Sequence, residues 1–234
     1  MPIDTEIIFN KPPATEVQIV VHFQNTLEVA DHRGKYHALV KSEFPFVYMP
    51  DIRKLVNDFG DYSLRSENWT NNLEIGMNYF RLVTTNYPGF NQFRNLFLSS
   101  LSKFSDCYAI NSFTQIAMQY TNKLALPSDR DFEDCFSIKI VVSENLQTPI
   151  YAGKGTLIFQ QPEGLVIFEL DPQLNGDMIT SYIMTLSFAA SRALSLSGEK
   201  ESDVATLIDS AHEYIKKYFF SFLQEDYIEY LISQ

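Results

Sequence analysis

Four polar residues stand out by their placement: Arg81, Tyr120, Asn122 and His212. In "QIAMQYTN", residues 115–122, strand alternation puts Ile116, Met118, Tyr120 and Asn122 on one face. A phenol and an amide therefore lie in line with apolar side chains. Arg81 falls in register with Ile75, Met77, Tyr79 and Val83 when "LEIGMNYFRLVTT", residues 73–85, is read as one long strand. His212 sits beside the apolar stripe of a C-terminal helix. Together a guanidinium, an amide, a phenol and an imidazole can hydrogen-bond a small acidic ligand. They can equally tie strand ends and a helix to backbone carbonyls, since a buried polar group left unpaired costs about 1–3 kcal/mol. The Arg81 and Asn122 strands flank one helix, so they are expected to lie close, with Arg81 gaining Tyr120 and Asn122 as partners. Asp129 or Asp131 would complete the guanidinium's donor set in the structural version. Asn122 is expected to mark the point where its strand leaves the sheet.

Beyond that cluster, the patterns that announce chemistry are missing. His32 and His37 are five residues apart and fall on different helix faces, while Cys107 and Cys135 are distant in sequence, so no zinc set converges. There is no G-x-S-x-G elbow. "GKGT", residues 153–156, lacks the order of a phosphate loop and leads into a strand. Asp129, Asp131, Glu133 and Asp134 imitate part of a calcium loop without its central glycine or closing glutamate. No metal and no cofactor is expected. The expected function is a non-enzymatic module binding an unidentified protein or small ligand; the alternative is an enzyme whose site is assembled from scattered polar residues.

The elements that must position these residues follow from periodicity. "EVQIVVHF", residues 16–23, alternates as a half-buried strand. A short helix follows around "GKYHALVKSEF", with Tyr36, Leu39, Val40 and Phe44 at helical spacing. Residues 50–72 read as mostly loop. "GFNQFRNLFLSSLSKFS" is an amphipathic helix carrying Phe90, Phe93, Phe97, Leu101 and Phe104. "SDRDFED" reads as an acidic loop and "FSIKIVV" as a strand. "GTLIFQQPEGLVIFEL" reads as a hairpin turning at Gln161-Pro162-Glu163-Gly164. Residues 178–190 fit strand or helix, and their Thr, Ile, Tyr and Phe favour strand. A long helix begins near Ser202 or Asp203, with Val204, Leu207, Ile208, Ala211, Ile215, Phe219, Phe222 and Leu223 as its stripe. The expected fold is α+β: a mixed or mainly antiparallel sheet, repeated strand–helix–strand units, and the C-terminal helix packed on the sheet. One domain over residues 1–234 is expected, with residues 127–150 as the candidate boundary.

Bulk properties narrow the setting. Acidic residues exceed basic ones by 29 − 18 = 11. The densest basic group, "HRGKYH" with Arg33 and Lys35, is flanked by acids, so no nucleic acid is expected as a partner. Nineteen Phe and 13 Tyr against one Trp suit a large half-buried sheet. The two cysteines are too few for a disulfide framework and read as small buried hydrophobes. "MPIDTEIIFN" carries acids where a signal peptide needs basic and apolar residues, and no stretch approaches the roughly 18 apolar residues of a membrane helix. "NWT" at Asn68 matches a glycosylation acceptor that matters in a secreted eukaryotic protein. A cytoplasmic, acidic, prokaryotic protein with no membrane partner is expected, and a homo-oligomer is left open.

Three segments in order resemble a sporadically distributed family of uncharacterised bacterial and archaeal proteins of about this length. They are "PPATEVQIVVHF" with Pro13 and Glu16, "QIAMQYTN" followed by "KLALP", and "LIDSAHEYIKKYFFSFLQED" with His212. The family's central strand usually reads Arg-Ile-Gly-Leu-Arg-Tyr-Ile-Asn. Here Gln115 and Gln119 replace the arginines and Ala117 the glycine, while Tyr120 and Asn122 are kept. Glutamine offers amide hydrogen bonds without charge, so an anion-binding role for those arginines does not carry over. The resemblance implies no established activity. The family's patchy distribution implies a mobile or defence-associated locus.

Overall fold

The computed structural model describes residues 9, 12–49, 61–138, 154–176, 178–196 and 203–234. Alternation makes β1 (Ala14–His22), which buries Val17, Ile19 and Val21. Thr26 then caps α1 (Leu27–Asp31) by accepting from the Glu28 amide, and α2 (Arg33–Val40) buries Tyr36 and Val40. Three short strands and a longer one follow: β2 (Phe46–Tyr48), β3 (Tyr62–Arg65), β4 (Asn71–Ile75) and β5 (Tyr79–Thr84). Next come α3 (Phe90–Tyr108) and β6 (Ser112–Ala125), then α4 (Phe132–Cys135). The hairpin of β7 (Gly155–Gln160) and β8 (Leu165–Asn175) leads to β9 (Met178–Ser195). The chain closes with α5 (Asp203–Ser221) and α6 (Glu225–Ser233).

These strands form a nine-stranded sheet in the order β2-β3-β4-β5-β1-β6-β9-β8-β7. Every pairing is antiparallel. The protein is thus α+β with the sheet dominant. One strand–helix–strand passage, β5–α3–β6, is present, and β1 is seated between its two strands. The passage from β1 through α2 ends instead at β2, the far edge.

Helices cover one face. Phe93, Phe97, Leu101 and Phe104 of α3 are buried, and Phe104 and Phe97 meet Phe80 of β5 at 4.9 and 5.8 Å between ring centroids. The α5 stripe packs on β6 and β9, with Val204, Leu207, Ile208, Ala211, Ile215 and Phe219 all buried. Full burial of one such side chain contributes about 1.5–3 kcal/mol. Residues alternating to the other face, including Gln18, Arg81, Ala117, Gln119 and Ser187, are half-buried.

Several expectations change. Within residues 50–72, residues 62–65 form β3 and residues 71–72 begin β4, while 50–60 lie outside the described residues. Residues 73–85 are not one strand: β4 and β5 form a hairpin pairing Ile75 with Phe80. Gly76 makes that reversal, and a Cβ there would meet the Tyr79 ring at 2.3 Å. The acidic stretch is partly helical, because Asp131 and Asp134 form a capping box on α4. Phe136 makes one bridge, to Leu223, and residues 139–142 of the expected strand lie outside the described residues. The C-terminal helix is two helices, because Phe222 and Gln224 turn outward to bond the backbone of Ser137 and Cys135. Residues 178–190 are strand. Cys135 is buried, Cys107 half-buried, and both are free thiols.

Candidate functional site

Tyr120 and Asn122 extend inward from β6 toward α5, beneath the start of α3. Both are nearly fully buried, as alternation with Ile116 and Met118 requires. His212 faces them from α5, whose stripe points its helical face at the sheet. A pocket of about 220 Å³ opens between these elements, room for about seven waters. Its apolar walls include Pro13, Phe90, Ile215, Phe219 and Phe220, with Phe9 stacked on Phe220 at 6.3 Å. Its polar wall is Tyr87, Tyr120, Asn122 and His212, with Lys216 also lining the site.

Three members of the polar wall form a connected chain. The Tyr87 and Tyr120 hydroxyls are 2.8 Å apart, and the Tyr120 hydroxyl lies 3.1 Å from His212 Nδ1. With Tyr87 donating to Tyr120 and Tyr120 to Nδ1, the run ends on a neutral imidazole protonated at Nε2. Phe90 stacks flat on His212, centroids 3.9 Å apart. Behind it, Arg94 of α3 grips Asp209 of α5 through two bonds of 2.5 and 2.8 Å, fixing the helix that carries His212.

Asn122 donates from Nδ2 to the Met184 carbonyl across the β6–β9 ladder at 3.3 Å. The expectation that it ends the strand is corrected: β6 runs on to Ala125, paired with β9 throughout. On its β1 side, however, the ladder is irregular between Ala14 and Glu16, and the amide of Lys123 bonds the Pro13 carbonyl. Ala14, paired with Asn122, and Pro13 line the pocket there.

Burial sets the electrostatics. It drives His212 down to about 4, with the charge of Lys216 adding to the effect and Asp209 opposing it. It pushes Tyr87 up to about 12 and Tyr120 well above the usual range. At neutral pH the imidazole, both phenols and the amide are therefore all uncharged.

Arg81 is not part of this cluster. The hairpin at Gly76 reverses the parity assumed for a single strand, so Phe80, Leu82 and Thr84 point inward and Arg81 points to the open face. There it pairs with Glu74, its cross-strand neighbour, and donates to Gln18 Oε1 at 3.3 Å. Strand β1 also separates it from β6. Asp129 lines a separate depression with Glu133, Asp134, Glu225 and Asp226, and Asp131 caps α4. Sequence reasoning missed Tyr87 and Phe90, which belong to the "NYPG" turn and the first residue of α3. The turn chemistry at Pro88-Gly89 was the available signal, since it swings Tyr87 under the helix.

Among the described residues no group of three or more His, Cys, Asp or Glu side chains could hold a metal ion. No helix among them is long and apolar enough to cross a membrane. The three segments that carry the family resemblance meet at this pocket, through Pro13, Tyr120 with Asn122, and His212. No protein-family model and no curated protein matches the chain, so the pocket's own geometry carries the functional reading.

Proposed function

We propose that the protein is a non-enzymatic binding module whose pocket takes a small, uncharged, aromatic ligand. One observation carries the reading: the hydrogen-bonded run of Tyr87, Tyr120 and His212, with Asn122 beside it, forms a neutral polar wall in a pocket whose remaining lining is apolar apart from Lys216. Such a wall hydrogen-bonds amides, phenols and heteroaromatic nitrogens without desolvating a charge. The enzyme alternative fits less well. Acid–base catalysis needs groups near the working pH, and here burial moves both tyrosines up and the histidine down, away from it.

The same proposal places the chain in the sporadic prokaryotic family it resembles, in a reducing cytoplasm that suits its free cysteines, at a mobile or defence-associated locus. With a net charge of −11, nucleic acid is not a partner in this reading.

Saturation-transfer NMR with phenol, benzamide, benzoate and benzylamine at neutral pH tests it. Phenol and benzamide should receive saturation and the two ions little, and Asn122→Leu should weaken benzamide at least tenfold. Stronger transfer to either ion, or none to the neutral probes at about 1 mM, a concentration that detects even weak sites, would overturn the reading.

A further inference from the structure

Away from the pocket, at the β2 end of the sheet, the surface changes character. Phe46, Val47, Tyr48 and Met49 are consecutive, apolar or aromatic, and 45–50% exposed. Beside them Trp69, the chain's single tryptophan, is 58% exposed. It is held there: its backbone adopts φ +62, a left-handed conformation that strains a bulky residue. The loop pins it, since Asn68 Oδ1 accepts from the hydroxyls of Ser66 and Thr70, both at 2.8 Å, and the Trp69 amide bonds the Ser66 carbonyl. The Arg65 guanidinium lies 4.8 Å from the ring centroids of both Tyr48 and Trp69, and Phe46 meets Trp69 at 6.1 Å. Trp, Tyr and Arg in one exposed cluster are the residue types that dominate binding energy at protein interfaces.

We infer that this corner is a self-association surface, where two copies meet about a two-fold axis with their β2 strands edge to edge. Three observations choose a second copy as the occupant. Strand β2 ends the sheet, so among the described residues its outer backbone edge has no neighbouring strand, and antiparallel pairing with its own copy is what a two-fold supplies. The chain carries a net charge of −11, yet "FPFVYMP" contains no Asp, Glu, Lys, Arg or His, so like copies approach here without acid facing acid. Arg65 and the exposed Glu67 are two residues apart in sequence, so a two-fold can set the cation of one copy against the acid of the other. Pro45 and Pro50 bracket the run in sequence and limit pairing to a few residues, which suits a closed dimer and opposes open-ended sheet growth. Three half-exposed aromatic rings leave on the order of 300 Å² of ring surface in water. That falls short of the roughly 800 Å² per partner of a stable interface, so the dimer is weak and reversible.

Sedimentation velocity from about 1 µM to about 1 mM, a span that brackets weak interfaces, tests this together with tryptophan emission. The wild-type chain should dimerise as it is concentrated, with a blue shift of emission from Trp69 alone. Trp69→Gly removes the ring and suits the left-handed backbone, so it should keep the melting temperature and weaken dimerisation at least tenfold. Val47→Lys should do the same at the edge. Ile158→Lys, on the exposed β7 strand at the opposite edge, should leave dimerisation unchanged. A chain monomeric throughout, a dimer unaffected by Trp69→Gly and Val47→Lys, or one broken by Ile158→Lys overturns the inference.

Discussion

Arg81 and Tyr120 stand on strands separated by β1 alone, yet they face opposite environments. Tyr120 and Asn122 lie beneath helices, uncharged and hydrogen-bonded. Arg81 lies on the opposite face, paired with Glu74 and partly exposed. Burying a guanidinium under α3 would cost several kcal/mol even when paired, whereas an amide that finds a carbonyl costs little. The sheet therefore sorts polar side chains by charge. Neutral ones are tolerated inward, where a cavity gives them a use, and charged ones remain outside.

The largest effects should come from neighbours on β5 that point in opposite directions. Leu82 is fully buried and Val83 half-buried. Leu82→Ala should cost about 2–5 kcal/mol and Val83→Ala about 1 kcal/mol or less in urea unfolding. Equal losses would mean that the two faces are assigned wrongly.

Next comes the pH response of His212. Its folded value, about 4, lies below the unfolded 6.5, so between those values the unfolded chain binds the extra proton. Stability contributed by keeping the imidazole neutral is complete above 6.5, falls as the pH drops below it, and is gone by about 4. The full span is on the order of 3 kcal/mol. His212→Gln should flatten the difference between unfolding at pH 7 and pH 4.5 relative to wild type. An unchanged pH slope would show that His212 is open to solvent.

That contrast also measures what was readable in the sequence. The inward faces of β1, β6 and α5 were legible, because each keeps its periodicity over nine or more residues. So were Tyr120, Asn122 and His212 as unusual inward polar residues, and all three line one pocket. Arg81 was misplaced because Gly76-Met77-Asn78 carries no proline or Asn-Gly pair, and a strand pattern runs through it without visible interruption. A glycine inside such a pattern was the cue, and a reversal there inverts the parity of every later residue. Tyr87 and Phe90 escaped because their importance arises from their partners, Tyr120 on β6 for the one and His212 on α5, more than a hundred residues away, for the other, and the turn at Pro88-Gly89 does not name those partners.

A smaller effect concerns the hydroxyl that links the polar wall. Tyr120→Phe keeps the ring against Tyr87 and His212 and removes the central hydroxyl with both of its bonds. A cost of about 0.5–1.5 kcal/mol is expected, because the pocket lets water reach the two groups left behind. Benzamide binding should weaken in the same variant. A loss above about 3 kcal/mol would indicate a sealed, purely structural network.

The smallest effect should be at Arg81. Its side chain and that of Glu74 remain 37% and 24% exposed, and the pair lies directly across the β4–β5 ladder. Cross-strand ion pairs open to water are worth about 0–1 kcal/mol, because screening and the entropy of two long side chains offset the attraction. Arg81→Met keeps the length of the stem against Gln18 while removing the charge, so it should cost about 1 kcal/mol or less and leave benzamide binding at its wild-type value. The coupling energy from a cycle with Glu74→Gln should shrink as salt is raised, as expected of a pair in contact with solvent. If Arg81→Met instead abolished binding while the fold stayed intact, the charge would be reaching the pocket through β1, and the sorting of neutral and charged groups between the two faces would fail at the strand where it is sharpest.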